Sequence, residues 1–348
     1  MDDGTGPRDV PVAGKKARLL KLGLGVAISI VFLYATLAAV PISSVLNALA
    51  GAQPNWIVAS LGFIFLAYVL KTYRWTLMLR MLGARITVAQ AATPFVGGVA
   101  FNNVLPFRAG DVIRVLAFQR FTGVAPSGQL GTLLLERLLD LFVLMIFLFA
   151  TVSFWRVTVL DASVLAGARW AALAVALSIL LFLAAPRPIR AVVAWAEGRL
   201  PRLRGAGEAL LRLSDALSSL SRPLFLLRVT LVSFLAWIAE GSAYFAVGQA
   251  LGVAASPQAA LLAVSVGTLS TIIPSSPGYV GTFHYFTARV ATAFGATVVK
   301  AAAYAILIHA LLWLTTTATG FLLLGLAGLK DRAQAPAIPL NDRPERHS

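Results

Sequence analysis

The stretch that decides the fold is residues 226–251, which read LLRVTLVSFLAWIAEGSAYFAVGQAL. It holds 26 residues and only two charges, Arg228 and Glu240. A helix of about 20 mostly apolar residues is long enough to cross the hydrocarbon of a bilayer. This stretch therefore predicts a transmembrane helix.

Five other segments have the same apolar character: 22–40, 56–79, 132–154, 166–185 and 301–326. Over all 348 residues, 59% are hydrophobic, 12% are charged and the mean hydropathy is +0.83. A soluble domain carries roughly 25% charged residues, so the composition excludes a soluble protein. Its hydrophobicity also excludes a disordered one. We predict an all-α integral membrane protein with about six full transmembrane helices.

Positive charge gives the expected orientation. The chain has 29 Lys and Arg against 14 Asp and Glu, a net charge of +15. In a soluble protein this excess would suggest nucleic acid, but membrane proteins concentrate Lys and Arg in cytoplasmic loops. Five basic residues precede residue 22, segment 41–55 has no charge, and segment 186–228 has eight arginines and three acids. We predict a cell-membrane protein with both termini cytoplasmic, whose partners are membrane lipids and not nucleic acid; the sequence carries no signal for an oligomeric state.

The ends and the basic segment suggest further features. Residues 1–21 form a basic N-terminus that is too long for a signal-peptide n-region, so we expect the following span to be retained. Segment 186–228 alternates apolar and basic residues, which fits an amphipathic helix on the anionic leaflet or an ordinary orienting loop. The tail 327–348, rich in proline and charge, is predicted to be disordered. The chain has no cysteine, which excludes disulfides and thiolate metal sites.

Two shorter apolar stretches, 91–105 and 259–273, each stop at a proline–glycine break and resume as a less apolar segment. The charge pattern puts both termini on one side only if each stretch enters and leaves the membrane on the same side. Irregular backbone at membrane depth is tolerated where protein encloses it or where it lines a wet cavity. We therefore predict two re-entrant helical hairpins around an internal cavity.

The two breaks also match in sequence at a displacement of 168 positions. The identities are 90–92 on 258–260, Val96 on Val264, Pro106 on Pro274, Gly110 on Gly278 and Val112 on Val280. An odd number of spans separates the copies, so they would point in opposite directions, as in the inverted repeats of secondary transporters. We predict a first repeat at about 56–155 and a second at about 226–326. The alternative is two unrelated proline–glycine loops.

The first break supplies several candidate binding residues. The amides of Asn102 and Asn103 are able to satisfy freed backbone groups or a ligand. The guanidinium of Arg108 has the geometry that binds phosphate bidentately. A salt bridge from Arg108 to Asp111 is the alternative. Asp111 falls in the first turn of the resumed segment, where the helix dipole favours a negative charge, and Arg114 follows one turn later.

The second break suggests an anion-binding helix end. Ser276 followed by Pro277 resembles an N-cap with proline at the first helical position. A half-helix would then begin deep in the membrane, with free N–H groups that attract anions. Gly278 and Gly281 permit close approach, and His284 is able to donate, accept or titrate. The alternative is a structural cap with a packed histidine.

Charged residues inside the predicted spans form the remaining candidates. Glu136, Arg137 and Asp140 lie near the start of one span, and Glu240 lies in the middle of another. A charge at the bilayer centre costs about 2.5–3.5 kcal/mol on insertion scales, so these side chains should face inward. We expect Glu240 to be protonated or paired with Arg289. Candidate partners for the other acids are Lys71, Arg108 and Arg114. The network either binds substrate or locks helices together.

The motifs of common enzymes are absent. There is no P-loop, G-x-S-x-G or H-E-x-x-H, and only three histidines, so we expect neither catalysis, nor a cofactor, nor a metal. His309, alone on an apolar helix, is interpreted as a satisfied polar contact. Three hypotheses remain: a lipid translocase, a small-solute secondary transporter, and an embedded enzyme that uses His284 with Glu136 or Asp140 on a lipid phosphate. The enzyme ranks last because no nucleophile lies beside a base.

Three motifs occur in a characteristic order. They are Leu-Pro-x-Arg-x-Gly-Asp-x-x-Arg at 105–114, Leu-Glu-Arg-x-x-Asp at 135–140 and Pro-Ser-Ser-Pro-Gly-x-x-Gly at 274–281. Together they resemble the flippase-like membrane domain of the lysylphosphatidylglycerol synthase family, from the first span to about residue 326. The resemblance implies movement of aminoacylated phospholipid from the inner to the outer leaflet. Free-standing relatives occur beside genes for hopanoid and polyprenyl lipids, which widens the implied lipids.

The resemblance also singles out particular positions. They are Arg108, Asp111, Arg114, Glu136, Arg137, Asp140, Pro277, Gly278 and Gly281. No soluble aminoacyl-transferase domain follows residue 326, so we expect this chain not to synthesise the lipid. Many relatives carry an acid where this chain has His284, so a carboxylate's role at that position does not transfer.

Overall fold

The computed structural model describes residues 13–38, 40–154, 162–197, 204–253 and 256–334, and these contain helices but no β-strand. The all-α prediction is confirmed. In chain order the helices are α1 (Ala13–Leu37), α2 (Ile42–Ala50), α3 (Pro54–Met81), α4 (Val88–Val104), α5 (Ala109–Ala117), α6 (Gln119–Thr122), α7 (Pro126–Phe154), α8 (Ala162–Ala184), α9 (Pro186–Glu197), α10 (Arg204–Leu220), α11 (Pro223–Ala250), α12 (Pro257–Ser270), α13 (Thr282–Ala293) and α14 (Val298–Gln334).

Among the described residues, three helices are individually long and apolar enough to cross a membrane: α3, α11 and the part of α14 up to Leu329. Two bent pairs add one candidate each. The α1–α2 pair bends by 77° and the α8–α9 pair by 52°, with Pro41 and Pro186 at the breaks. Proline disfavours helix in the residue before it, which explains these bends. The chain is therefore a multi-pass helical protein with three to five candidate spans, and α7 contains the predicted span 132–154.

Several predicted boundaries need correction. Helix α1 begins at Ala13, so the basic segment is helical upstream of residue 22, and residues 1–12 lie outside the described residues. The uncharged segment 41–55 contains α2. Helix α14 runs to Gln334, so residues 327–334 are helical and not disordered. No proline lies between Val298 and Gln334 to interrupt this helix. The rest of the predicted tail lies outside the described residues.

The Arg-rich segment contains two helices, α9 and α10, on either side of residues that the structure does not describe. Helix α10 packs against both α7 and α9. Its Leu217 and Leu220 are buried in a cluster with Leu135 and Leu139 of α7. An ordinary loop is therefore wrong for most of this segment. Helix α10 also does not fit the alternative of a helix on the anionic leaflet, because its apolar face packs on the protein.

Two runs of elements share one order: a long helix, a short helix, a 3-10 turn, a short helix and a long helix. The first run is α3, α4, the turn Pro106–Arg108, α5 and, after the single-turn α6, α7; the second is α11, α12, the turn Pro277–Tyr279, α13 and α14. Helix α3 packs most extensively against its counterpart α11. Helix α4 packs against α14, and in the reciprocal contact α12 packs against α7. Both breaks consequently lie inside one helical bundle.

The register predicted for the breaks is wrong. The second turn begins at Pro277 and not at Pro274, so Pro277 corresponds to Pro106. Gly278 then corresponds to Phe107 instead of Gly110. The cause is a difference in length, because one residue separates α4 from its turn whereas residues 271–276 separate α12 from its own.

Candidate functional site

A cavity of about 420 Å³ lies where the two breaks meet, and its wall includes side chains from α3, α4, α5, α7, α11, α12 and α14. This volume is in the range of small-molecule sites. The charged residues of the wall are Lys71, Arg74, Arg108, Asp111, Arg114, Glu136, Arg137, Asp140 and Glu240. Because charge in an apolar bundle is costly, the pairing of these groups determines what the cavity is able to bind.

Glu240 pairs with Lys71. The Lys71 Nζ donates to Glu240 Oε2 at 2.5 Å, and it also lies 3.8 Å from the centroid of the Trp237 ring. The expected pairing with Arg289 is wrong, because Arg289 is exposed. The direct packing of α3 on α11 places a lysine beside the carboxylate.

Asp140 is bound by two other helices. Arg74, which is 0% exposed, donates through Nη1 to Asp140 Oδ1 at 2.7 Å and to Ser233 Oγ at 2.8 Å. Trp237 Nε1 donates to the same carboxylate oxygen at 2.9 Å. These contacts join α3, α7 and α11 through one buried ion pair.

The first break is closed by Asp111. Its carboxylate accepts from Arg137 Nη2 at 2.6 Å and from Asn102 Nδ2 at 2.9 Å, while its backbone N–H donates to Asn102 Oδ1 at 3.1 Å. The alternative salt bridge between Arg108 and Asp111 does not form, because Asp111 points to α7. The amide of Asn102 and the carboxylate of Asp111 therefore hold α4 and α5 together on the two sides of the break.

Arg114 is enclosed by aromatic rings. Its Nη2 donates to Glu136 Oε1 at 3.1 Å, and its guanidinium carbon lies 5.2 Å from the Trp75 ring and 5.1 Å from the Phe95 ring. Such stacking suits a weakly hydrated guanidinium. This pair connects α5 to α7 in a buried position.

Arg108 differs from the other cations. Its Nη2 donates to Thr271 Oγ1 at 3.0 Å, and its guanidinium carbon lies 5.7 Å from the Tyr279 ring. It forms no ion pair with any residue that the structure describes. Phe107, Arg108 and Tyr279 have φ values of 58°, 52° and 59°. Left-handed backbone is uncommon for residues other than glycine, and such strain clusters at functional sites.

The second break does not start a helix where the sequence suggests. Ser276 and Pro277 begin only a 3-10 turn, without a side-chain cap from Ser276. Left-handed backbone at Gly278 and Tyr279 interrupts the helix, so α13 begins at Thr282. The predicted half-helix at Ser276–Pro277 is therefore wrong.

The other candidates of this break have mainly structural contacts. The backbone N–H of Ser276 donates to Ser29 Oγ at 2.7 Å, which attaches the break to α1. The N–H of Gly281 donates to Nδ1 of the buried His284 at 3.2 Å, as a structural cap with a packed histidine would. Of the four candidates in the second break, Ser276, Gly281 and His284 do not line the cavity, whereas Gly278 does.

One face of α14 contacts both breaks, and we call it the α14 stripe: His309, Trp313, Thr316 and Thr317. His309 Nε2 donates to Gly278 O at 2.8 Å, which confirms the interpretation of this histidine as a satisfied polar contact. Trp313 Nε1 donates to the carbonyl of Asn103 at 3.3 Å. The Asn103 amide in turn donates to both threonines at 2.9 Å. The spacing places these side chains on one helical face.

Asn103→Ala is expected to lower the free energy of unfolding by about 1–2 kcal/mol, because it removes two partly buried hydrogen bonds. Unfolding by SDS in mixed micelles, followed by circular dichroism, measures this change. Asn55→Ala is the matched control, since Asn55 is exposed and its truncation should stay within about 0.5 kcal/mol of the wild type. Equal stability of both variants would contradict the role of the α14 stripe.

The structure brings together most of the predicted residues. Those that line the cavity are Asn102, Asn103, Arg108, Asp111, Arg114, Glu136, Arg137, Asp140, Glu240 and Gly278, whereas Ser276, Gly281 and His284 do not. The prediction missed several wall residues: Tyr68, Arg74, Trp237, Thr271, Tyr279 and Trp313. Arg74 carried a signal, because it lies seven residues before the end of α3. No local sequence pattern marks the other five residues as part of the wall, because their place in it depends on which helices pack side by side.

Residues 22–320 match the family described as the lysylphosphatidylglycerol synthase TM region, which is most of the chain. No curated protein matches it. The matched range includes both breaks, α7 and every charged residue of the cavity wall. The chain therefore belongs to the lysylphosphatidylglycerol synthase TM region family.

Proposed function

We propose that this protein is a lipid translocase, which moves the polar headgroup of a membrane lipid between leaflets through the charged cavity. The candidate lipids bear phosphate or belong to the aminoacylated, polyprenyl or hopanoid classes. One observation carries the proposal: nine charged side chains line a cavity at the meeting point of two interrupted helices. The charged side chains of this cavity would replace the contacts with water that a headgroup loses when it leaves the membrane surface.

The energetic need for such a path is large. A polar group without partners in hydrocarbon costs several kcal/mol, which makes unassisted movement of headgroups slow. Fixed charges and hydrogen-bond donors lower this barrier, while the acyl chains stay in the bilayer. The sequence has no nucleotide-binding motif, so movement would be passive or driven by a gradient.

For the arrangement in the membrane, we propose six full spans and two re-entrant hairpins in an inverted repeat. The spans are the bent α1–α2 pair, α3, α7, the bent α8–α9 pair, α11 and α14. The shared element order and the reciprocal packing of α4 on α14 and α12 on α7 support the repeat. The uncharged segment 41–55 and the basic segment 186–228 support cytoplasmic termini.

Blocking the cavity is expected to stop lipid movement. Because the chain has no cysteine, Thr268→Cys introduces a single thiol into the cavity wall. In liposomes with acyl-labelled lipid, a bulky methanethiosulfonate should reduce the rate of this variant to that of protein-free liposomes. Ser221→Cys, between α10 and α11, should show the same rate before and after modification.

The measurement is bleaching of outer-leaflet label by dithionite, which reports movement of inner-leaflet lipid to the outside. Wild-type protein should move lipid faster than protein-free liposomes do. Movement at the protein-free rate, or an unchanged rate after modification of Thr268→Cys, would exclude a lipid path through this cavity. Each variant is compared with itself, so its starting rate does not affect the result.

A further inference from the structure

The charges of the cavity wall are not balanced. Five cationic and four anionic side chains line it, which leaves one positive charge. Each carboxylate has a basic partner within 3.1 Å. The pairs are Lys71–Glu240, Arg74–Asp140, Arg114–Glu136 and Arg137–Asp111. Arg108 is the cation that remains, so the excess charge of the wall is located at one guanidinium.

The four pairs are built into the packing. Arg74 and Arg114 are buried, and Lys71 is held between Glu240 and the Trp237 ring. Each of these carboxylates is therefore already neutralised by a basic residue of the wall. A cationic headgroup that bound one of them would place a second cation beside it, in a wall that already has an excess positive charge. The acids therefore offer no net attraction to a cationic ligand.

Arg108 is oriented but not neutralised. The Thr271 hydroxyl accepts from its Nη2 and donates to Thr268 O at 2.7 Å, so this hydroxyl fixes the guanidinium and has no proton left for a ligand. A guanidinium has five N–H donors. Only the donor to Thr271 has an acceptor among the residues that the structure describes. The remaining edge suits the two unesterified oxygens of a phosphodiester.

From this balance we infer that the cavity takes a headgroup with a net charge of −1, a phosphodiester whose remaining part is uncharged. The inference rests on the proposed function and narrows its substrate class. A mono-anionic headgroup restores neutrality in the wall. A zwitterionic headgroup leaves the positive charge, and an aminoacylated headgroup with net charge +1 adds a second one.

The test compares three lipids that share acyl chains and label: phosphatidylglycerol (−1), phosphatidylcholine (0) and lysyl-phosphatidylglycerol (+1). In proteoliposomes, wild-type protein should move phosphatidylglycerol at least about tenfold faster than lysyl-phosphatidylglycerol, because one unit of charge at contact distance in a partly buried site exceeds a decade in rate. Phosphatidylcholine should lie between. This ranking by the wild-type protein tests the inference without any variant.

Variants then locate the selectivity. Arg108→Gln should reduce the preference for phosphatidylglycerol by about tenfold, whereas Arg108→Lys should keep the ranking, since it keeps the charge. Arg289→Gln is the matched control, because Arg289 is exposed and does not line the cavity, and it should behave as the wild type.

The outcomes separate the two proposals. If the three lipids move equally fast, or if lysyl-phosphatidylglycerol moves fastest, the charge class is wrong and the translocase proposal stands. A preference that survives Arg108→Gln would also overturn the assignment to Arg108. If no lipid moves faster than in protein-free liposomes, the translocase proposal fails. Uptake of radiolabelled inorganic phosphate into the same liposomes, without lipid movement, would identify a soluble anion as the ligand.

Discussion

Arg74→Met is expected to lower the free energy of unfolding by about 3 kcal/mol, because it removes the hydrogen-bonded basic partner of a largely buried carboxylate and leaves only Arg137, at 4.0 Å, beside it. Arg74 is fully buried and donates to both Asp140 and Ser233. Methionine fills a similar space but supplies no donor and no charge. The measurement is SDS unfolding in mixed micelles, followed by tryptophan fluorescence, which Trp237 makes sensitive to this site.

The double variant Arg74→Met, Asp140→Leu separates charge from packing. With both partners apolar, no unpaired charge remains, so the double variant should lose less stability than Arg74→Met alone. Arg289→Met changes the same residue type at an exposed position and should stay within about 0.5 kcal/mol of the wild type. A double variant as unstable as the single one would show that the loss comes from packing and not from charge.

Gly110→Ala is expected to cost about 3 kcal/mol or more, the upper range of overpacking, because its methyl group would meet backbone atoms. A Cβ at position 110 would overlap the carbonyl oxygen of Gly98 and lie 2.6 Å from the backbone nitrogen of Asn102. Neither atom is able to move without shifting α4 away from α5. That shift would also break the hydrogen bonds between Asn102 and Asp111.

SDS unfolding and the yield of monodisperse protein measure this effect. Gly62→Ala is the control, since Gly62 lies within α3 and a Cβ there would meet no atom within 4 Å. Alanine is the better helix former, so this variant should equal the wild type or gain up to about 1 kcal/mol. Unfolding of Gly110→Ala at the wild-type SDS fraction would contradict the close approach of α4 and α5.

Much of the fold follows from local properties of the sequence. Apolar runs of sufficient length predict α3, α11 and α14, since each must find an apolar environment whatever its neighbours. Both breaks were predictable because proline and glycine interrupt helices by their own covalent structure. Accordingly, α4 ends at Val104, one residue before the predicted 105, and α12 ends at Ser270, three before 273.

The pairing of the charges was less predictable, because it depends on which helices are neighbours. Glu240 was expected to meet Arg289 but meets Lys71. One signal was available in the sequence. Lys71 and Arg74 lie ten and seven residues before the end of α3, or about 15 and 10 Å at a rise of 1.5 Å per residue. A cation so far inside a span is better interpreted as buried than as a flanking anchor.

The start of α13 shows the limit of capping signals. Ser276 and Pro277 have the composition of a helix start, and the chain does turn there. Two consecutive left-handed residues, Gly278 and Tyr279, then interrupt the helix. Their conformation is set by tertiary contacts, including His309 on the Gly278 carbonyl. No local pattern predicts such contacts.

The α14 stripe attaches both breaks to one helix, through the carbonyls of Gly278 and Asn103. His309 and Trp313 are one helical turn apart, so their attachment points differ by about 6 Å along the axis. Neither break is able to move away from α14 without losing its hydrogen bond to that helix. A translation or rotation of α14 would therefore move both breaks together. Opening of the cavity between the breaks is thereby coupled to the position of one helix.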